Sequence, residues 1–374
     1  MGMKVMKEAG NRGVEESAWA ECCSEAGTAA VQAGETEFDD NVLSAITKRR
    51  FDTREQAILC SDTQDGASSE LECTLMGGED SDIFGAELSV SFWGDQVVSG
   101  SDMGIVKLWD RSTPDRVTLL KGHYNGWVNA IAVAGSPDGK RLVSGGEDGR
   151  IKVWNLETLE TLIVSDLGKP VYSVCFCPDG KGVAFGLADG TIGVWDWSTR
   201  EAARRVRVLR GHTKWVYALA FSPRGDSLVS GAGDGTVRTW ALSGKGLSVA
   251  VNTLAVSEGK VYSVSLSADG AFVAFGMSDG RAGVWCPADK CVKRVPFDSS
   301  GIWATAFHPK GEVVAVGLTD GGIVLWDWAG ERLRTLQGHG GAVWSLGYSP
   351  DGTRLVSGSA DESIRLWRLN GNSA

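Results

Sequence analysis

Residues 338–367 read GHGGAVWSLGYSPDGTRLVSGSADESIRLW. Two polar corners and one tight turn cut this stretch into three short apolar pieces. Residues 343–348 run into Ser-Pro-Asp-Gly at 349–352, residues 354–357 end near Ala360-Asp361-Glu362, and residues 363–367 follow. Partial alternation of apolar and polar residues, bounded by Pro, Asp and Gly, predicts antiparallel strands joined by turns. So small a sheet cannot cover its own apolar faces, and it requires neighbours of the same kind.

The neighbours are in the chain. Tryptophan closes an equivalent strand at Trp109, Trp154, Trp195, Trp240, Trp285, Trp326 and Trp367, at spacings of 45, 41, 45, 45, 41 and 41 residues. An aspartate turn precedes each one, at Asp102, Asp148, Asp189, Asp234, Asp279, Asp320 and Asp361. Seven in-phase copies of strand, turn and strand are a structural repeat. A fourth strand is expected between copies, at 117–120, 159–164, 206–209, 250–255, 291–295 and 333–336. Copy seven has no room for one after it. Residues 71–75, Leu-Glu-Cys-Thr-Leu, precede copy one with the right alternation and are expected to pair with 363–367. That pairing closes a ring and removes the open sheet edge.

Composition narrows the class. The 374 residues are 43% apolar and 22% charged, which describes a globular chain with an ample core. The 50 glycines read as many tight turns. A formal net charge of -10 argues against a nonspecific nucleic-acid or membrane surface. Eight scattered cysteines without C-x-x-C, and only four histidines, disfavour a zinc site and point to a reducing compartment, cytoplasmic or nuclear. No long apolar run and no apolar region near Met1 suggest a span or a secretory leader, and Met6 stands where a myristoylation signal wants Ser or Thr.

Residues 1–69 differ from the rest, with 13 acids against 7 bases. They are expected to be an acidic extension, disordered or partly helical, with candidate helices at 15–32 and 41–58. The repeat body is expected over 70–370, and 371–374 form a short tail.

The repeat carries further signatures. Gly-His occurs at Gly122-His123, Gly211-His212 and Gly338-His339. Trp-Asp closes copies at Trp109-Asp110, Trp195-Asp196 and Trp326-Asp327, with Trp154-Asn155 in copy two. Over roughly residues 71–369 the chain resembles the WD40-repeat family. The resemblance implies an all-β, seven-bladed β-propeller of four-stranded antiparallel blades, the last blade closed by the N-terminal strand. It also implies a hydrogen-bonded chain of His, Ser, Asp and Trp within a blade. The matching sets are His123, Ser144, Asp148 and Trp154; His212, Ser230, Asp234 and Trp240; and His339, Ser357, Asp361 and Trp367. A Ser, His and Asp grouping is also that of a hydrolase. Here it recurs three times, each Ser lies within a strand rather than on a sharp elbow, and the indole completes the network, so the structural reading is preferred. Copies three, five and six lack Gly-His and carry Phe185, Phe275 and Val316 at the Ser position, which avoids a buried unpaired hydroxyl. Copy one keeps Ser99 and Asp102, with Gly78-Glu79 near the His position.

In the family's geometry one residue per inner strand faces the upper rim of the central channel. Here these are Leu88, Asn129, Tyr172, Tyr217, Tyr262, Trp303 and Trp344, with Trp127 and Trp215 in the loops leading there. Two readings compete: rings that only pack on one another, or a rim that binds an extended or helical segment of a partner. Asp166, Lys169, Lys214, Glu258 and Lys260 flank this arc, and a second cluster, Arg200, Arg204, Arg205, Arg207 and Arg210, reads as a solvated edge or a contact for an acidic partner.

The expected function is a non-catalytic scaffold in a stable multiprotein complex, with proteins as partners. No cofactor, metal, small-molecule substrate or membrane insertion is expected, and nucleic acid only indirectly. No P-loop, G-x-S-x-G elbow or His-rich cluster suggests an enzyme. One alternative is a substrate-recognition subunit of a ubiquitin ligase, although the family's Trp-Asp-x-Arg docking pattern is not met by WDRS, WDWS or WDWA. Another is a subunit of an RNA- or chromatin-associated complex.

Overall fold

In the computed structural model the chain divides into Met1–Arg49 and Arg50–Ala374. The structure describes residues 58–59, 71–76, 86–94, 96–110, 117–123, 130–133, 140–196, 206–242, 250–256, 259–297, 301–311, 313–328 and 332–369. Expectations for 1–57 and 371–374 lie outside these residues.

The described strands form seven antiparallel sheets, the blades of a seven-bladed propeller. Blade four shows the plan: Val216–Phe221, Ser227–Ala232, Thr236–Ala241 and Ala250–Ala255 pair in sequence order. The first turn is sharp because its glycine adopts a left-handed φ. Gly225, at φ 72°, donates its N–H to the Ser222 carbonyl at 2.8 Å. Gly180, Gly270, Gly311 and Gly352 repeat that bond in other blades, and a side chain there would strain the turn.

Tight turns explain only part of the glycine content. A second group lies inside the middle strands, directly after the Ser, Phe or Val of the network position. A Cβ on Gly145 would come within 2.5 Å of Val171 of the next blade, and one on Gly231 within 2.6 Å of Val261. Gly186 faces Val216, Gly276 faces Ile302, Gly317 faces Val343 and Gly358 faces Val90 in the same way. Each missing side chain seats a β-branched residue from the adjacent blade, so blades approach closely and the core lies between them. One buried cluster joins Val143, Ile151 and Val153 to Val171, Phe185 and Trp195. Hydroxyls stitch the inner strands: Ser173 Oγ donates to the Val216 carbonyl at 3.0 Å, and Ser345 Oγ accepts from Val90 N–H at 3.0 Å.

The closing strand stands where the alternation places it. Leu71–Met76 pairs antiparallel with Ser363–Arg368, in a register that sets Leu71 opposite Trp367 and Leu75 opposite Ile364. Glu72 holds Arg354 at 3.1 Å and Arg368 at 3.6 Å. One element differs from expectation. The helix expected over 41–58 does not extend to Ile58, because Ile58–Leu59 is a short strand paired with Leu75 and Thr74, which makes the last blade five-stranded. The pairing gives backbone groups on the outer edge of Leu71–Met76 partners at Thr74 and Leu75.

Candidate functional site

Two sets of side chains come together, one inside the blades and one at the channel. Within blade four the Trp240 indole N–H donates to Ser230 Oγ at 2.8 Å, Ser230 Oγ lies 2.7 Å from His212 Nε2, and His212 Nδ1 lies 3.0 Å from Asp234 Oδ2. An indole only donates, so the serine oxygen accepts from it. Asp234 also accepts from the Thr213 and Thr236 amides and the Thr236 hydroxyl. Blade seven repeats the chain through Trp367, Ser357, His339 and Asp361, and blade two through Trp154, Ser144, His123 and Asp148. Thr236 and Ser363, each two residues after its aspartate, are network members that the expected four-residue sets omitted. Their signal was a hydroxyl beside the aspartate turn.

The chemistry available to these serines is limited. Ser144, Ser230 and Ser357 are fully buried at 0% exposure beneath their tryptophans, so no substrate reaches the hydroxyl. Burial alone would raise the Asp234 and Asp361 carboxyl pKa values, but hydrogen bonds and the adjacent histidine outweigh it and hold both well below the usual carboxylate range. Burial of His339 disfavours the imidazolium, outweighs the pull of Asp361 and lowers its pKa from 6.5. A depressed histidine pKa means that the unfolded chain binds the proton more readily. The stabilisation is therefore complete above 6.5 and is lost as pH falls below that value. The aspartates add a second loss as pH falls below 3.8. The melting temperature is expected to drop between about pH 7 and pH 5, and the slope to flatten in His339→Gln. Identical slopes in both proteins would refute the assignment.

The remaining blades solve the same volume differently. In blade three the Phe185 ring lies over Gly193, its cross-strand partner, and in blade five Phe275 lies over Gly283. The network blades carry Lys152, Arg238 and Arg365 at that partner position. In blade one the Trp109 indole donates to Ser99 at 2.9 Å, and Glu87 forms an ion pair of 2.5 Å with Lys107, both side chains about 1% exposed. Burial raises the Glu87 carboxyl pKa against the opposing pull of Lys107. Gly78-Glu79 lies outside the described residues. Glu87 was not foreseen, because in the sequence it is one acid among many. His308 is outside the networks. Its Nε2 lies 3.1 Å from the Gly352 carbonyl and its ring meets Tyr348 edge-on, clipping blade six to blade seven.

The inner strands enclose a channel cavity of about 240 Å³, lined by Leu88, Tyr172, Tyr217, Tyr262, Trp303 and Trp344 among others. The rings form a contiguous arc across blades. Trp215 stacks on Tyr172 at 4.8 Å, Tyr172 meets Tyr217 at 5.8 Å, and Tyr217 meets Tyr262 edge-on at 5.2 Å. Tyr262 stacks on Trp303 at 3.9 Å and 9°. Each of these rings and Trp344 is partly buried. Trp127, Asn129 and Glu258 lie outside the described residues. The flanking charges are partly spent on neighbours, Lys169 on Asp189 at 2.5 Å and Asp166 on Arg150 at 3.4 Å. Of the arginine cluster, 200–205 lie outside the described residues, while the Arg207 guanidinium donates to the Leu242 carbonyl and so tethers blade three to blade four. Among the described residues no group of metal-binding side chains gathers, and no helix is long and apolar enough to cross a membrane.

Six four-stranded blades, a five-stranded seventh, and the Asp–His–Ser–Trp networks of blades two, four and seven define a WD40-type propeller. Comparison with known families agrees: the model described as the IFT122 first beta-propeller matches residues 170–374, and that for the WD domain, G-beta repeat matches residues 114–155. The chain belongs to the WD40 β-propeller family. It is 44% identical over 80 residues to the small ribosomal subunit protein RACK1y of Oryza sativa subsp. japonica, a match covering 21% of this chain and 23% of that protein. It is 38% identical over 71 residues to the periodic tryptophan protein 2 homolog of Mus musculus, covering 19% and 7%. It is 42% identical over 64 residues to the DDB1- and CUL4-associated factor 13 of Dictyostelium discoideum, covering 17% and 14%. The chain thus spans less than a quarter of the length of each of these relatives.

Proposed function

We propose that this propeller is a non-catalytic interaction scaffold whose channel rim holds an extended or helical segment of a partner protein. The carrying observation is the arc of rings on adjacent blades that lines the channel. Rings already locked by stacking on rigid strands lose little freedom on binding, which lowers the cost of association. Tyr and Trp keep a polar tip on an apolar body, the chemistry of binding hot spots. The names of two relatives are those of assembly members, a small ribosomal subunit protein and a factor associated with DDB1 and CUL4. Both support service within a complex rather than alone.

Tyr217→Ala, Trp303→Ala and Trp344→Ala are each expected to cost about 2 kcal/mol of partner affinity, roughly 30-fold. The check is quantitative co-precipitation from cell extract by the full chain, using only variants with an unchanged melt. Recovery of every partner by all three variants would remove the rim as the binding face. Co-purification of adaptor and cullin subunits with the wild-type chain would instead point to ligase substrate recognition, which the third relative's name makes the second reading.

A further inference from the structure

Blade five carries two cysteines in direct register. Strands Arg281–Cys286 and Cys291–Pro296 form a hairpin in which Cys286 stands opposite Cys291. Phe297 N–H donates to the Gly280 carbonyl at 3.0 Å, which makes 280 and 297 a hydrogen-bonded pair. Such pairs recur at every second residue, so Cys286 and Cys291 are also one, with Cα atoms about 5.5 Å apart. Opposed residues project to the same face of the sheet. Disulfides span Cα separations of about 4.4–6.8 Å, a range that includes this pair. Both thiols are free in the structure.

Their surroundings divide the labour. Cys291 is exposed, whereas Cys286 is 5% exposed and its thiol donates to Asp289 Oδ2 at 3.3 Å. The Asp289 backbone favours the Cys286 thiolate, but burial and the Asp289 carboxylate outweigh it and raise the pKa. Other described cysteines lack this arrangement. Cys73 stands opposite Leu366, while Cys175 and Cys177 lie two positions apart near one end of a single strand, where burial pushes the Cys175 thiol up and the Cys177 thiol up to about 11.

We propose that Cys286 and Cys291 form a peroxide-responsive dithiol, a modification site on the outer hairpin of blade five. The Cys291 thiolate attacks hydrogen peroxide; the S–O bond forms, the O–O bond breaks, and hydroxide leaves and is protonated to water. Cys291 is then a sulfenic acid, oxidised by two electrons. Cys286 loses its proton to water and attacks Cys291 Sγ. The S–S bond forms, the S–O bond breaks and a second water leaves. Two thiols and one peroxide thus give one disulfide and two waters. The bond releases Asp289 from Cys286 and ties the turn end of the hairpin that presents the exposed strand Cys291–Pro296.

The test exploits Lys290, which lies between the two cysteines. The folded full chain is exposed to hydrogen peroxide, its remaining thiols are alkylated, and it is digested with trypsin without reductant. Cleavage after Lys290 separates the two cysteines unless a disulfide joins them. The expected product is peptide 282–290 linked to peptide 291–293, absent before oxidation and lost on reduction. Cys291→Ser should abolish it. Cys286→Ser should leave Cys291 as a sulfenic acid captured by dimedone. The proposal fails if oxidised Cys291 appears only as sulfinic acid or bridged to another cysteine while Cys286 is alkylated. It fails equally if the linked peptide forms only in urea-unfolded chain.

Discussion

Removal of residues 1–76 is expected to open the ring and lower the melting temperature by at least about 10 °C, whereas removal of residues 1–57 should leave it unchanged. The reason is the double duty of Leu71–Met76. It pairs along Ser363–Arg368, and its Leu75, 3% exposed, packs with Val356, Ile364 and Leu366 of the last blade and with Val90, Phe92, Val97 and Trp109 of the first. Loss of a buried leucine alone costs about 2–5 kcal/mol. The truncation also removes the Glu72 ion pairs with Arg354 and Arg368 and exposes Ser363–Arg368 as an unpaired edge. An intermediate truncation of residues 1–69 removes, among the described residues, the two-residue strand Ile58–Leu59 and should shift the melt little. Calorimetry and light scattering on the three proteins decide the matter. Equal melting and equal size after removal of 1–69 and 1–76 would show that the ring closes without this strand.

Trp240→Ala should be the most damaging single substitution of those considered, costing about 3–5 kcal/mol in a denaturant titration. The ring is 0% exposed and packs with Ala184, Ile192, Leu209, Val216 and Leu228, which joins blade three to blade four. Two contributions are mixed in that figure, and Trp240→Phe separates them. Phenylalanine keeps most of the packing but removes the N–H that donates to Ser230. It should cost about 1–3 kcal/mol, because the buried hydroxyl then lacks its donor. Trp285→Phe is the control, since Phe275 occupies the serine position in that blade and its cross-strand partner is Gly283. A smaller loss at position 285 than at 240 is the expected order. The reverse order would mean that the indole bond contributes nothing to blade four.

The repeat itself was legible because everything that marks it is local. Turn glycines, the aspartate before each third strand and the closing tryptophan lie within one blade, and their in-phase spacing reveals the number of blades. The closing strand was legible for a related reason: copy seven lacks a fourth strand and residues 71–75 supply one. The four-residue networks were implied by the family resemblance, and the loss of Gly-His and Ser together in copies three, five and six agreed with it.

What remained hidden depends on contacts between blades or across strands. The middle-strand glycines look like ordinary small residues until Val171, Val261 or Ile302 of the next blade is seen to occupy the missing Cβ. Glu87 becomes the partner of Lys107 only when two strands of blade one bring residues twenty positions apart together in a dry interior. The arc residues were named from the sequence, but not the fact that Tyr262 stacks on Trp303 while Trp215 reaches back to Tyr172. Alternation and turn preference determine the face on which a side chain emerges. They do not determine the twist of each blade or the angle between neighbours, and it is that geometry, imposed by ring closure, that decides which rings meet at the channel.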